Sequence, residues 1–235
     1  SAAFAAVGTV ARQEATNSVG FSGAYEGGVT NRLAMKGGPA PTQGQPVPTY
    51  LERLAEEGVT AAVVSPARFS RSGLTGAALR GARHVPADTL EQRVSAALRE
   101  LRAGTPVVYL YWSEIDHSGH AHGVASDAWI GQVEQFDAGL AMLMRGLPSG
   151  VRAVLTADHG MINVEPDRII DVASTPALRE GVRIVAGETR AAHVHAEEGR
   201  ADEVEERWRE TLGESAWVLS RAQMPAPLGG GRGGA

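Results

Sequence analysis

Residues 88–111, DTLEQRVSAALRELRAGTPVVYLY, decide the fold class. Leu90, Val94, Leu98 and Leu101 recur at helical spacing and give one apolar side. Asp88 with Glu91 three residues on reads as a D-x-x-E capping box at the start, and Gly104 stops the helix. Pro106 then opens Val107-Val108-Tyr109-Leu110-Tyr111, an unbroken apolar run that fits a strand buried on both faces.

The same helix-then-strand unit repeats on either side. Upstream, residues 49–57 form an amphipathic helix ending at Gly58, and the apolar run 60–64 follows. Downstream, Trp129, Ile130, Val133, Phe136, Leu140 and Leu143 share one face of a helix over 126–144. Pro148-Ser149-Gly150 ends that helix, and residues 151–156 read as another short strand, rich in β-branched residues. Helices alternating with apolar strands imply an α/β fold, a mainly parallel sheet covered by helices on both faces. Ligands in such sheets bind at the carboxyl ends of the strands.

The flanks are less regular. Residues 2–13 suggest a short helix, followed by a Gly- and Pro-rich excursion with a hairpin around 26–30. Residues 182–185 and 193–195 read as an edge hairpin, and 201–212 as an acidic amphipathic helix carrying Val204, Trp208 and Leu212. Residues 1–221 are expected to form one domain and residues 222–235, rich in Pro and Gly, a disordered tail.

The chain has 235 residues, 43% of them hydrophobic, with a net charge of -5 and no cysteine. It is long enough to bury a core. The missing cysteine excludes a disulfide scaffold and thiolate metal sites, but leaves sites built from histidine and carboxylate. An acidic chain, pI near 5.8, lacks the basic face that a generic nucleic-acid surface needs. No apolar run approaches the roughly 20 residues of a membrane span, and with no export signal the expected location is cytoplasmic.

Two expected strands run directly into ionisable clusters. The first is Glu114-Ile115-Asp116-His117-Ser118-Gly119-His120, with His122 close behind; the second is Asp158-His159-Gly160-Met161. Asp116 and His120, four residues apart, can face one cation if the segment forms a single turn, which Gly119 would help. Asp158 and His159 point to opposite sides of an extended chain but can converge where a strand breaks into a loop. Two carboxylates and two imidazoles suit zinc or manganese rather than calcium. Each pattern also has a bland explanation: D-x-x-x-H is short, and an Asp-His pair can cap a helix. Their joint placement at successive strand ends is much harder to assign to chance.

Residues 109–123, Y-x-Y-W-x-x-I-D-H-S-G-H-A-H-G, then Trp129 and Asp137, then T-A-D-H-G-M at 156–161, resemble the type I phosphodiesterase and nucleotide pyrophosphatase family of the alkaline phosphatase superfamily. Weaker similarity, with the look of the actinobacterial branch, extends to V-V-S-P-A-R-F at 63–69, S-G-L-T at 72–75 and G-A-R at 81–83. The resemblance implies a three-layer α/β/α domain of the alkaline phosphatase type. It also implies two divalent cations, zinc or else manganese, with Asp116 and His120 on one and Asp158 and His159 on the other. The implied activity is hydrolysis of phosphodiester or pyrophosphate bonds, with a small nucleotide as substrate and a covalent phospho-threonine or phospho-serine intermediate.

Three components that the resemblance leads one to expect have no match: an aspartate on a first strand, the nucleophile after it, and a late third histidine. Val7-Gly8-Thr9 looks like the segment just after the nucleophile, so the nucleophile is expected upstream of Ser1 and the chain is expected to be truncated at both ends. A phosphonoacetate hydrolase-like enzyme and a non-catalytic metal-binding remnant are the alternatives. His193 and His195 read as strand histidines and His84 as a surface loop residue. His117 and His122 are expected beside the ligands or facing solvent, and Asp137 either orients a ligand or is merely solvated. Arg68 and Arg71 are candidates to meet an anion.

Overall fold

Backbone polar groups must find partners, so an apolar run becomes a strand only where a neighbour offers a ladder. The computed structural model describes residues 22–25, 28–31, 40, 42, 46–188, 191–220 and 222–223. The expected helix at 2–13, Ser1 and residues 224–235 of the expected tail lie outside the described residues.

In chain order the elements are β1 (Ser22–Tyr25), β2 (Gly28–Asn31), α1 (Tyr50–Glu56), β3 (Ala61–Ser65), α2 (Gly73–Ala78), β4 (Arg83–Pro86), α3 (Leu90–Arg102), β5 (Val107–Leu110), α4 (Glu114–His122), α5 (Asp127–Gly146), β6 (Val182–Glu188), β7 (Ala191–Ala196) and α6 (Ala201–Leu212). They divide between two compact units, Pro46–Arg168 and a second made of Ser1–Gln45 with Ile169–Ala235.

The first unit is built on a parallel sheet of order β4-β3-β5. β3 is its middle strand: Val63 lies opposite His84 on one side and Tyr109 on the other, and every residue of β3 is buried. Fully burying a valine is worth about 1.5–3 kcal/mol, so Val63 and Val64 anchor the unit. α3 covers this sheet through Val94, Ala96, Ala97 and Leu98, and Val64, Ala87, Ala96 and Ala97 form the core cluster.

Three expectations need correction here. The cap of α3 is not Asp88 with Glu91 but Thr89 with Gln92, each side chain bonding the other's backbone N–H. Asp88 is engaged elsewhere, its Oδ1 accepting the Ala67 N–H at 2.9 Å just beyond β3. His84 is not a loop residue. It sits in β4 with Nε2 2.7 Å from Ser65 Oγ, and burial lowers its basicity. Residues 151–156 do not form a strand: the segment is irregular and exposed, with Val154 89% accessible. Among the described residues no strand pairs with it, so its apolar composition has nothing to act through.

α5 starts near its expected position, with Ser126 Oγ accepting the Trp129 N–H, but buries only Gly139. There the methyl groups of Leu90 occupy the space a Cβ would need, letting α3 and α5 approach closely. The rest of its apolar face is half covered, and Ile130 is exposed.

In the second unit, β1 and β2 pair antiparallel, as do β6 and β7. α6 seats Val204, Trp208 and Leu212, the three residues its periodicity predicts, against Leu178 and the valines of the β6–β7 hairpin. His193 and His195 lie in β7, as expected. Burial lowers the basicity of His195, helped by the nearby charges of His193 and Arg183. Among the described residues no helix is long and apolar enough to cross a membrane.

Candidate active site

β5 delivers the chain to the site. The Tyr111 N–H donates to Val64 O at 3.0 Å, one step past the strand, and α4 begins after Ser113. Within α4, Asp116 and His120 stand one turn apart on the same face, as their spacing predicts. His120 Nε2 lies 3.3 Å from Asp116 Oδ1. The second cluster converges on the same oxygen: His159 Nε2 is 3.8 Å from Asp116 Oδ1 and 3.8 Å from Asp158 Oδ1. Asp116, His120 and His159 are thus brought together, and Asp158 joins them through its neighbour His159.

The arrangement is open. Half of the Asp116 side chain is accessible, and Asp158 is 87% exposed. Among the described residues no three His, Asp or Glu side chains are set to hold a single ion. The donor chemistry nevertheless fits a divalent cation. His159 Nδ1 lies 2.8 Å from Gly160 O, and a carbonyl can only accept, so Nδ1 carries the proton. In the neutral ring Nε2, the nitrogen facing Asp116, then keeps its lone pair, which is the tautomer a metal ligand requires.

α4 is held by a pair of residues to which the sequence reading gave no role. Arg93 is wholly buried in α3, and all five of its N–H donors are used. Nε donates to Ala87 O at 3.1 Å. One terminal nitrogen donates to Glu114 Oε2 at 3.0 Å and Tyr111 O at 3.5 Å, the other to Glu114 Oε1 at 2.6 Å and Asp88 O at 2.7 Å. The guanidinium also lies 4.5 Å over the Trp112 ring. Burial alone would raise the Glu114 carboxyl, but the Arg93 fork and the Ser113 N–H outweigh it and hold it below the usual range. This fixes the first residue of α4, two positions before Asp116. The signal was present in the sequence: Arg93 lies three residues after Leu90, on the face that Val94 and Leu98 bury.

The loop after α4 carries a second set of contacts. A Cβ at Gly119 would overlap Met161 Sδ, so the Met161 side chain takes its present position because residue 119 is glycine. The Asn163 side chain takes both polar groups of the Val124 backbone, accepting its N–H at 2.7 Å and donating to its carbonyl at 3.0 Å. Nothing in the sequence marked Asn163.

The local field is negative. Burial pushes the Tyr111 phenol up, and Tyr109 together with the carboxylates of Asp116, Asp158 and Glu114 pushes it further. Tyr109 is raised by burial and then by Asp158. Such a concentration of negative charge favours a cation. Phe69 meets Tyr111 edge-on at 5.9 Å, and Arg68 stands 4.5 Å over Phe69. Arg71, His117, His122 and Asp137 are exposed.

No curated protein and no solved structure is significantly similar to the chain. The sequence profile of one family, however, matches residues 24–233, which takes in the sheet, α4 and both ionisable clusters. That extent joins the two motifs to the α/β framework between them, and places the chain in the type I phosphodiesterase / nucleotide pyrophosphatase family, hydrolases with an alkaline phosphatase-like fold.

Proposed function

We propose that this chain carries the metal-binding centre of a hydrolase acting on phosphodiester or pyrophosphate bonds in small nucleotides. The observation that carries this reading is the convergence of His120 Nε2 and His159 Nε2, from two segments far apart in sequence, on Asp116 Oδ1. Asp116 and His120 would hold one divalent cation and Asp158 and His159 the other, zinc or manganese by the donor set. When bound, the cations supply charge neutralisation at the phosphorus oxygens and lower the pKa of the attacking hydroxyl. The chain's own part is to present the ligands: Arg93 and Glu114 orient the start of α4, and the Gly160 carbonyl fixes the His159 tautomer. Arg68, stacked over Phe69, is the candidate to meet a phosphate oxygen.

A second reading, an impaired metal-binding remnant, is favoured by one observation: no ready three-ligand cage exists among the described residues. Hydrolysis of bis(p-nitrophenyl) phosphate with added zinc or manganese, alongside calorimetric metal titration, separates the two. The enzyme reading expects turnover that Asp116→Asn and Asp158→Ala abolish. Metal binding without turnover in a folded protein supports the remnant. Turnover that both substitutions leave intact removes the site assignment itself.

A further inference from the structure

Residues 157–165 form neither helix nor strand, yet they hold His159 beside Asp116. The His159 N–H donates to Asp158 Oδ1, and the His159 ring lies against Gly160 O. The segment also contacts α4 and the loop past it in alternation. His159 reaches Asp116, Met161 fills the notch at Gly119, and Asn163 grips Val124, so every second residue turns to α4 or the loop just past it. The whole segment lies at the surface, and Met161 is its half-buried residue; Gly160, Ile162 and Val164 are exposed. Alternate residues on one side are the mark of an extended chain.

The spacing is commensurate. Four extended residues from His159 to Asn163 advance about 13 Å at roughly 3.3 Å each. Six residues of α4 from Asp116 to His122 advance about 9 Å at helical rise, and Gly123 carries the chain on to Val124. A slip by one residue would turn Met161 and Asn163 outward and carry His159 with them. The far end is the more constrained: Gly123 and Ala125 both take left-handed backbone, φ 86° and 65°, and Val124 sits between them in the grip of Asn163. For alanine that conformation costs energy, so the Asn163 amide contributes to keeping the loop in place.

We propose that Met161 and Asn163 are positioning residues: they lock the register of 159–163 along α4 and thereby hold His159 Nε2 against Asp116. The proposal deepens the reading of this site as a metal centre and rests on it. The metal-free test is hydrogen exchange at the Val124 amide. It is expected to be at least about tenfold slower in the wild-type chain than in Asn163→Ala, because that N–H is bonded to the Asn163 side chain. Zinc or manganese affinity should fall about 10- to 100-fold in Asn163→Ala, with unchanged circular dichroism. Asn163→Asp keeps an acceptor for the Val124 N–H and should fall between. Gly119→Ala should weaken metal binding similarly, and adding Met161→Ala, which clears the notch, should restore part of it.

Equal Val124 exchange in wild type and Asn163→Ala overturns the register. Lost protection with unchanged affinity overturns the positioning role. A wild-type chain that protects Val124 but binds neither metal overturns the functional reading alone, since exchange has by then established the register.

Discussion

β3 and residues 151–156 are two short apolar runs of the same chain, and they meet opposite fates. AAVVS at Ala61–Ser65 is wholly buried between two parallel neighbours; VRAVLT at 151–156 is irregular and open to solvent. Composition does not separate them, since both are rich in valine and each precedes a loop. Partners do. β3 has β4 on one edge and β5 on the other, so its backbone groups are satisfied and its side chains meet α3. Residues 151–156 have no ladder among the described residues, and an apolar run without one gains neither hydrogen bonds nor burial.

The largest effect that could break this contrast is at its buried end. Val64→Asp places an unpaired carboxylate in the centre of the sheet and should cost about 4 kcal/mol or more, enough to unfold the unit. Urea denaturation reads this directly, and a mild effect would mean that β3 is not the core strand. Next is Arg93→Met, which strands Glu114 and several backbone carbonyls. About 3 kcal/mol is expected, the low end for a broken buried pair because 29% of the Glu114 side chain remains accessible to water.

A smaller effect comes from His84, which packs beside β3 in its neutral form. Burial depresses its folded-state pKa, so the unfolded chain takes up a proton first as pH drops. Stability from this residue is present above the ordinary histidine range and is lost as pH falls through it toward the depressed value. Denaturation at pH 7.5 and 5.5 should show that decline in the wild type and less of it in His84→Gln; equal slopes would remove the claim. The smallest effect belongs to the exposed run: Val154→Asp should change stability by no more than about 0.5 kcal/mol. A loss comparable to that of Val64→Asp would show that residues 151–156 are paired in solution, and would erase the contrast.

The elements marked by periodicity and caps were legible in the sequence. α6 occupies the residues expected of it, and α5 begins within a residue of its expected start at 126. The cap of α3 moved by one residue because Asp88 is drawn to Ala67, a partner 21 positions away that no local pattern reveals. The four ligand candidates were legible because each pair is local, four residues apart in a helix or adjacent in a loop. The convergence of His120 and His159 on one oxygen of Asp116 was not, since it depends on how residues 157–165 lie along α4. Asn163 and Arg93 escaped notice for a related reason: their partners lie 39 and 21 residues away.

The sequence by itself determined what is local: which segments can be helices, where apolar runs fall, and which residues could bind a cation. These follow from side-chain spacing and capping chemistry, which act over a few residues. Only the tertiary structure decided which apolar run became a strand, which arginine was buried with all its donors satisfied, and which oxygen the histidines share. Those outcomes depend on partners brought together across the chain, and a hydrogen-bond ladder or a buried ion pair exists only when both halves are present.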